Sequence, residues 1–333
     1  MRKNLIYIMI TLAVLLLVGN MILKRSTEEV PEEKTIEEIS TTEIENIFLS
    51  TIDQFNLDSN WINKVHINNS QYDSLQFVYK LDLPTDLPPI LVLRSLKEQF
   101  MNKAVDLISD EKSINGNTTL NIFSNDELKL QTSFNIKEDI YRKHAEFAVV
   151  LSDVEKLTEN ELSKILRSII DLNILLKPSV ESDTLIGTLS NFEKTYSILI
   201  SDQVENSIYS MKPDDTKTKL TEAVRYINWN YPDANLHLIE NSSALFNSAS
   251  FNFVRDEFSK RDMNLRPLSE LNQLPKDISE AESLLSFYIE SGLGKEGKVL
   301  VIPASIFNEL ESILLEAKKQ GSKFYSPDKL LNK

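Results

Sequence analysis

The chain has no cysteine. That excludes disulfides, thiolate nucleophiles, cysteine zinc sites and lipid attachment through sulfur. Histidine is scarce as well: His66, His144 and His237 are the only three in 333 residues. Metal and acid–base schemes that depend on spaced imidazoles are starved by this. Neither a Ser–His–Asp triad nor a His-x-x-x-His zinc pair has its signature, and a two-metal carboxylate cluster lacks one too. Positive charge is in deficit, with 36 Lys and Arg against 50 Asp and Glu and a net charge of −14. The electrostatic footprint of a nucleic-acid binder is therefore missing. An anionic lipid surface would repel such a chain, so any membrane attachment must be hydrophobic.

What is present suits a globular protein with a real core. Hydrophobic residues make up 41% and charged residues 26%. The length allows two domains at roughly 150 residues each. Leu5–Leu23 carries no charge and has only Thr11 and Asn20 as clearly polar interruptions. At about 1.5 Å per residue the stretch reaches about 30 Å, the thickness of a hydrocarbon core. A cleaved signal peptide would want a shorter apolar region and a small-residue cleavage site. Val18-Gly19-Asn20 is a poor candidate, and the apolar run continues past it to Leu23. The expectation is an uncleaved single-span anchor over residues 1–25, cytoplasmic stub included. Arg2 and Lys3 nearly balance Lys24 and Arg25 across the span. The long acidic remainder favours a cytoplasmic N-terminus and an extracytoplasmic bulk, on the periplasmic or extracellular face. Residues 26–43, rich in Glu around Pro31, cannot bury a core and read as an acidic tether.

Residues 44–143 mix periods. Thr42 and Glu45 have capping-box spacing ahead of a helical stripe through Ile44, Ile47, Phe48, Ile52 and Phe55. Leu75–Leu83, Thr119–Phe123 and Leu128–Ile136 read as strands, and Ile90–Ile108 as an amphipathic helix. Asn115-Gly116-Asn117 suits a hairpin turn. This predicts a small α+β domain without evident site chemistry. Trp61, Phe77 and Tyr79 fit core or half-buried strand positions better than a binding face.

From residue 144 to 333 short apolar strands alternate with amphipathic helices. Phe147–Leu151, Ile174–Leu176, Ile198–Ile200, Leu236–Ile239, Met263–Leu268, Val299–Ile302 and Lys323–Tyr325 read as strands. Helices lie between them, at Leu162–Ile170, Leu220–Ile227, Phe251–Phe258, Ile278–Ile289 and Ile306–Ala317. The first of these follows a second capping box at Thr158 and Glu161. Such alternation predicts βαβ units around a parallel sheet buried on both faces, here an incomplete α/β barrel. Gly292, Gly294 and Gly297 match the dinucleotide spacing, but they follow a helix and precede a strand, the reverse of what phosphate binding needs. No cofactor site is expected from them.

Functional groups of α/β barrels collect where strands end at their C-terminal face. Those positions gather a candidate cleft of Ser152, Asp153, Asp202, Glu205, Glu240 and Asn241, with Lys177 and Pro303–Ser305 at neighbouring strand ends. His237, flanked by leucines inside a strand, reads as a packing residue. Neither a catalytic set nor a metal set can be assigned.

The layout of residues 146–331 resembles the divergent polysaccharide deacetylase family. Phe147-Ala148-Val149-Val150-Leu151 runs into Ser152-Asp153-Val154, where the family has two adjacent aspartates. Leu175-Leu176-Lys177-Pro178 is similar to the family strand that ends in proline. Ile198-Leu199-Ile200-Ser201 stands where family members carry a histidine. Asn235–Ile239 and Asn241-Ser242 resemble the region of a second histidine, and Gly321-Ser322-Lys323-Phe324-Tyr325-Ser326-Pro327 resembles the terminal strand. The resemblance implies a distorted deacetylase-type barrel, and a metal held by one aspartate and two histidines while a second aspartate acts as base. Here only Asp153 survives, and the histidine positions read Ser201 and roughly Ile239. The expectation is a pseudoenzyme without cofactor or metal, partnered by the membrane through its N-terminal helix and by glycan or an envelope protein. Two alternatives stay open: a carbohydrate-modifying hydrolase with a site rebuilt from Asp153, Asp202, Glu205 and Glu240, and a structural envelope assembly component.

Overall fold

The computed structural model describes residues 39–331 apart from 68–74, 76, 115, 203 and 205–207. Leu5–Leu23 and Glu205 lie outside the described residues. Within them no helix is long and apolar enough to cross a membrane. The described residues form two compact units: 39–51 with Asn60–Leu83 and Pro88–Ile136, and Ile52–Ser59 with Pro84–Leu87 and 137–331.

The first unit combines helix α1 (Thr41–Asp53), helix α2 (Pro89–Phe100) and a sheet of β1 (Ile62–His66), β2 (Phe77–Pro84), β3 (Asp106–Glu111), β4 (Thr118–Ser124) and β5 (Glu127–Lys137). The strands lie in the order β1-β2-β5-β4-β3. The stripe read from the sequence is buried: Ile44, Phe48 and Ile52 are wholly enclosed. The cap differs from expectation. Ser40 Oγ accepts from the Glu43 amide at 3.2 Å, and Glu45, freed from a capping box, accepts from Lys64 and from the Tyr79 hydroxyl. The helix expected over Ile90–Ile108 stops at Phe100. Beyond it Asp106–Glu111 pairs antiparallel with β4, because a partner strand satisfies that backbone better than further helical turns.

The second unit is a parallel barrel left open. Its strands are β6 (Glu146–Ser152), β7 (Leu172–Leu176), β8 (Thr195–Ile200), β9 (His237–Ile239), β10 (Leu265–Pro267), β11 (Asn272–Gln273), β12 (Lys298–Pro303) and β13 (Lys323–Phe324). They run in the order β10-β9-β8-β7-β6-β12-β11, and β13 pairs the first residues of β6. Every pairing is parallel. A short turn, Leu268–Glu270, carries the chain from one edge strand to the other. Helices α3 (Glu159–Leu166), α4 (Val180–Asn191), α5 (Lys217–Asn230), α6 (Ser250–Ser259), α7 (Ile278–Gly292), α8 (Phe307–Lys319) and α9 (Pro327–Leu331) complete the unit. The Thr158–Glu161 capping box is formed at α3. This is the incomplete parallel α/β barrel that the alternation of strands and helices predicts.

Alternation along each strand sorts the core into two layers. Phe147, Val149 and Leu151 face the helices with Ile174, Leu176, Ile198 and Ile200. Ala148 and Val150 face inward with Leu175, Leu199, Leu236, Leu238, Val299 and Val301. Each large apolar side chain buried this way contributes about 1.5–3 kcal/mol, which is why the strands are apolar on both sides. Leu330 and Leu331 of α9 pack against the inner layer. Gly297 admits that helix: a Cβ there would stand 2.7 Å from Leu330 Cδ2. Gly294 takes a φ of +69°, open to glycine at no steric cost, and its amide donates to the His144 carbonyl at 2.9 Å. The glycine triplet is thus a helix exit and a close approach.

Arg142 is a second fastening. Its buried guanidinium donates to Asp86 at 2.7 and 3.1 Å, to the Phe55 carbonyl at 3.0 Å and to the Lys319 carbonyl at 2.9 Å.

His237 faces the helix side of β9, 5.5 Å from the Phe258 ring. Its Nε2 has no hydrogen-bond partner among the described residues. Burial lowers its pKa from 6.5 to about 4. The unfolded chain takes up the proton near pH 6.5 while the folded chain refuses it, so stability falls as pH drops from 6.5 toward 4. The loss is on the order of 3 kcal/mol for a shift of that size. Urea unfolding of His237→Leu at pH 7 and pH 4.5 should show that part of the slope removed. An unchanged slope would mean that other groups carry the acid sensitivity.

Candidate functional site

The same alternation that fills the barrel decides what its C-terminal mouth presents. Two residues beyond the inward Val150, Leu175, Leu199, Leu238, Leu271 and Val301 stand Ser152, Lys177, Ser201, Glu240, Gln273 and Pro303. A pocket of about 290 Å³ opens here, floored by Leu175, Leu199, Leu268 and Val301. Its walls include Ser152, Asp153, Glu155, Lys177, Glu240, Gln273 and Lys276.

Asp153 is the pivot of this mouth. It ends β6 in a left-handed conformation, φ +61°, which a short polar side chain tolerates better than most. The turn Val154–Lys156 follows at once and returns Lys156 to it, with Nζ 2.6 Å from Oδ1. Lys276, carried in after β11, sits 3.3 Å from Oδ2. Burial pushes the Asp153 carboxyl upward, but the hydrogen bonds and charges of Lys156 and Lys276 outweigh it, and the group lies below its ordinary range. Lys156 is raised in turn, chiefly by its bond to Asp153, with Glu155 and Glu240 adding to it. From the end of the neighbouring β7, Lys177 pairs with Glu155 at 3.3 Å. The buried Ser201 donates its hydroxyl to Glu240 Oε2 at 2.8 Å.

Of the cleft read from the sequence, Ser152, Asp153 and Glu240 line this pocket. Asp202 does not line it. Its oxygens accept from Ser243 Oγ at 2.7 Å and from the Ala244 amide at 2.6 Å, which secures the loop after β9. Asn241 likewise clamps a loop: its amide donates to Ser269 Oγ and its oxygen accepts from the Ser269 amide, both at 2.8 Å. Glu155, Gln273 and Lys276 went unrecognised. Gln273 belongs to a two-residue strand that leaves no periodic signal, and Lys276 reaches the mouth only because that strand pairs with β12.

The resemblance implies a divalent ion on Asp153 and two histidines. The residues do not fit one. Each Asp153 oxygen already faces an ammonium. Ser201 is committed to Glu240, and Ile239 is buried on the helix side of β9. Among the described residues no three His, Asp or Glu side chains gather as a metal set.

Two lysines holding one carboxylate low has a direct readout. In the double variant Lys156→Met/Lys276→Met the Asp153 carboxyl, followed by carbon-13 NMR, should titrate at higher pH than in the parent protein. If the titration does not move, the two ammoniums do not set this group.

No protein-family profile and no curated protein matches the chain. Similar solved structures are BA3943, a CE4 family pseudoenzyme from Bacillus anthracis, and ATU2773, an uncharacterized protein from Agrobacterium tumefaciens C58. The first is 10% identical with a TM-score of 0.38, over 65% of this chain and 84% of that one. The second is 10% identical with a TM-score of 0.40, over 58% and 92%. PdaA of Bacillus subtilis, a family 4 carbohydrate esterase, is 12% identical with a TM-score of 0.33, over 58% and 84%. The overlap is low in all three.

Proposed function

We propose that the chain is a membrane-anchored, extracytoplasmic protein whose deacetylase-like barrel binds acetylated glycan without metal-dependent hydrolysis. The observation that carries this reading is the double lysine clamp on Asp153, set in an open mouth pocket with polar walls and an apolar floor. An ammonium on each oxygen takes the place that a divalent ion would need, and hydrolysis loses its Lewis acid. The pocket survives that change, because its floor is built from strand residues that owe nothing to the ion. Glu240, held by the buried Ser201 behind it, offers acceptors, and Lys177 and Gln273 offer donors, that orient a hydroxylated ring over an apolar base. Anchoring follows from the uncharged run Leu5–Leu23, and the extracytoplasmic placement from the long acidic bulk behind it.

The rival hydrolase built from four carboxylates is weakened by Asp202, whose oxygens are engaged in securing a loop. A purely structural component would have no need of an open mouth.

The full chain in lipid nanodiscs, titrated calorimetrically with zinc, nickel and manganese and then with N-acetylglucosamine oligomers, tests the proposal. We expect no stoichiometric metal binding and a saturable sugar signal that Glu240→Ala weakens at least tenfold. Acetate release that depends on an added metal would overturn the non-catalytic reading, and an oligomer signal indifferent to Glu240→Ala would move the site elsewhere.

A further inference from the structure

Beside the mouth lies a second, larger pocket of about 470 Å³, between the Val154–Lys156 turn, α3, the end of β7 and α4. Its character is different. Leu157, Leu162, Leu176, Leu185 and Val204 line it beside Val154 and Pro178, with no aromatic ring among the described lining residues. Leu157, Leu162 and Leu185 are only partly buried, so their apolar surface stays open to a ligand.

The two pockets share Glu155 and Lys177. The ion pair between these side chains, 3.3 Å long, is therefore the partition that separates a polar chamber from an apolar one. With 46% of the Glu155 side chain and 23% of the Lys177 side chain exposed, solvent reaches the pair. Partly exposed pairs of this kind contribute little to stability, so the partition can shift at small cost.

Building on the glycan reading of the mouth, we infer that the ligand is amphipathic: a sugar ring in the mouth bearing an aliphatic acyl or alkyl chain that crosses the Glu155–Lys177 pair into the leucine-lined pocket. Two features commit the second pocket to a chain on the same molecule. Among the described residues its polar border is the wall that it shares with the mouth, together with Ser179 and Ser182 at one end, where the Ser182 hydroxyl donates to the Lys177 carbonyl. Its aliphatic, branched lining suits methylene packing, whereas a second sugar would leave its hydroxyls facing leucine at the cost of lost hydrogen bonds.

Methyl and pentyl N-acetyl-β-glucosaminides, titrated calorimetrically into the full chain in nanodiscs with empty nanodiscs subtracted, separate the possibilities. The pentyl compound should bind at least tenfold tighter than the methyl compound. Leu162→Gln should abolish that advantage while leaving the methyl compound unchanged. Intermediate chain lengths on the unaltered protein give the same answer should that variant fold poorly: affinity should climb with each methylene. Equal affinity for methyl and pentyl compounds would overturn the chain pocket and leave the glycan reading standing. A pentyl advantage that survives Leu162→Gln would place the chain elsewhere and also overturn it. Failure of both compounds to bind would remove the glycan reading and this inference together.

Discussion

The period of two along a buried parallel strand is the constraint on which the barrel depends. Each strand must give one set of side chains to the helices and the other to the interior, so apolar residues occupy both. The last residue of the inward set emerges at the rim. Ser152, Lys177, Ser201, Glu240, Gln273 and Pro303 share a mouth because each stands two places beyond an interior hydrophobe. A one-residue slip in any strand would send its rim residue into the helix layer and a helix-facing residue into the interior.

Charge at that rim is organised by pairing. Three lysines and three carboxylates line it or border it, and ion pairs join Asp153 to two ammoniums and Glu155 to one. Glu240 takes a hydroxyl instead. A chain with a net charge of −14 thus spends several of its scarce cations on one small opening. Where a metal would gather anionic and neutral ligands around one point charge, these ammoniums spread positive charge over three flexible stems. Such an arrangement places hydrogen-bond donors at several points around the rim.

Much of this was legible before any coordinates. The apolar runs of β6, β8 and β12 and the Thr158–Glu161 box each announce themselves through local periodicity or capping chemistry. Ser152, Asp153 and Glu240 followed from strand ends alone. The failures have physical causes. The sequence carries the helix on into β3 because Val105 and Ile108, three places apart, continue a helical spacing, and only pairing with β4 overrides it. α4, with Gly187 exposed inside it and a weak apolar stripe, gave no helical signal. Asp202 and Asn241 stand at strand ends like their neighbours, yet hydrogen bonds to residues 28 to 42 positions away turn them to securing loops. Lys276 depends on the course of a connection that no local pattern encodes.

The Arg142 guanidinium draws together segments that lie 56, 87 and 177 residues from it in the chain. Two of them, Ile52–Ser59 and Pro84–Leu87, precede the barrel yet belong to its compact unit. The barrel is therefore not a cassette. A gene fragment that began at Lys137 would encode every one of its strands but strip a buried cation of its carboxylate and of one carbonyl, a loss of several kcal/mol for an uncompensated interior charge. Recombination or exon-like shuffling at the apparent boundary would yield a product unable to settle. The folding unit of the barrel therefore begins in sequence well before its first strand.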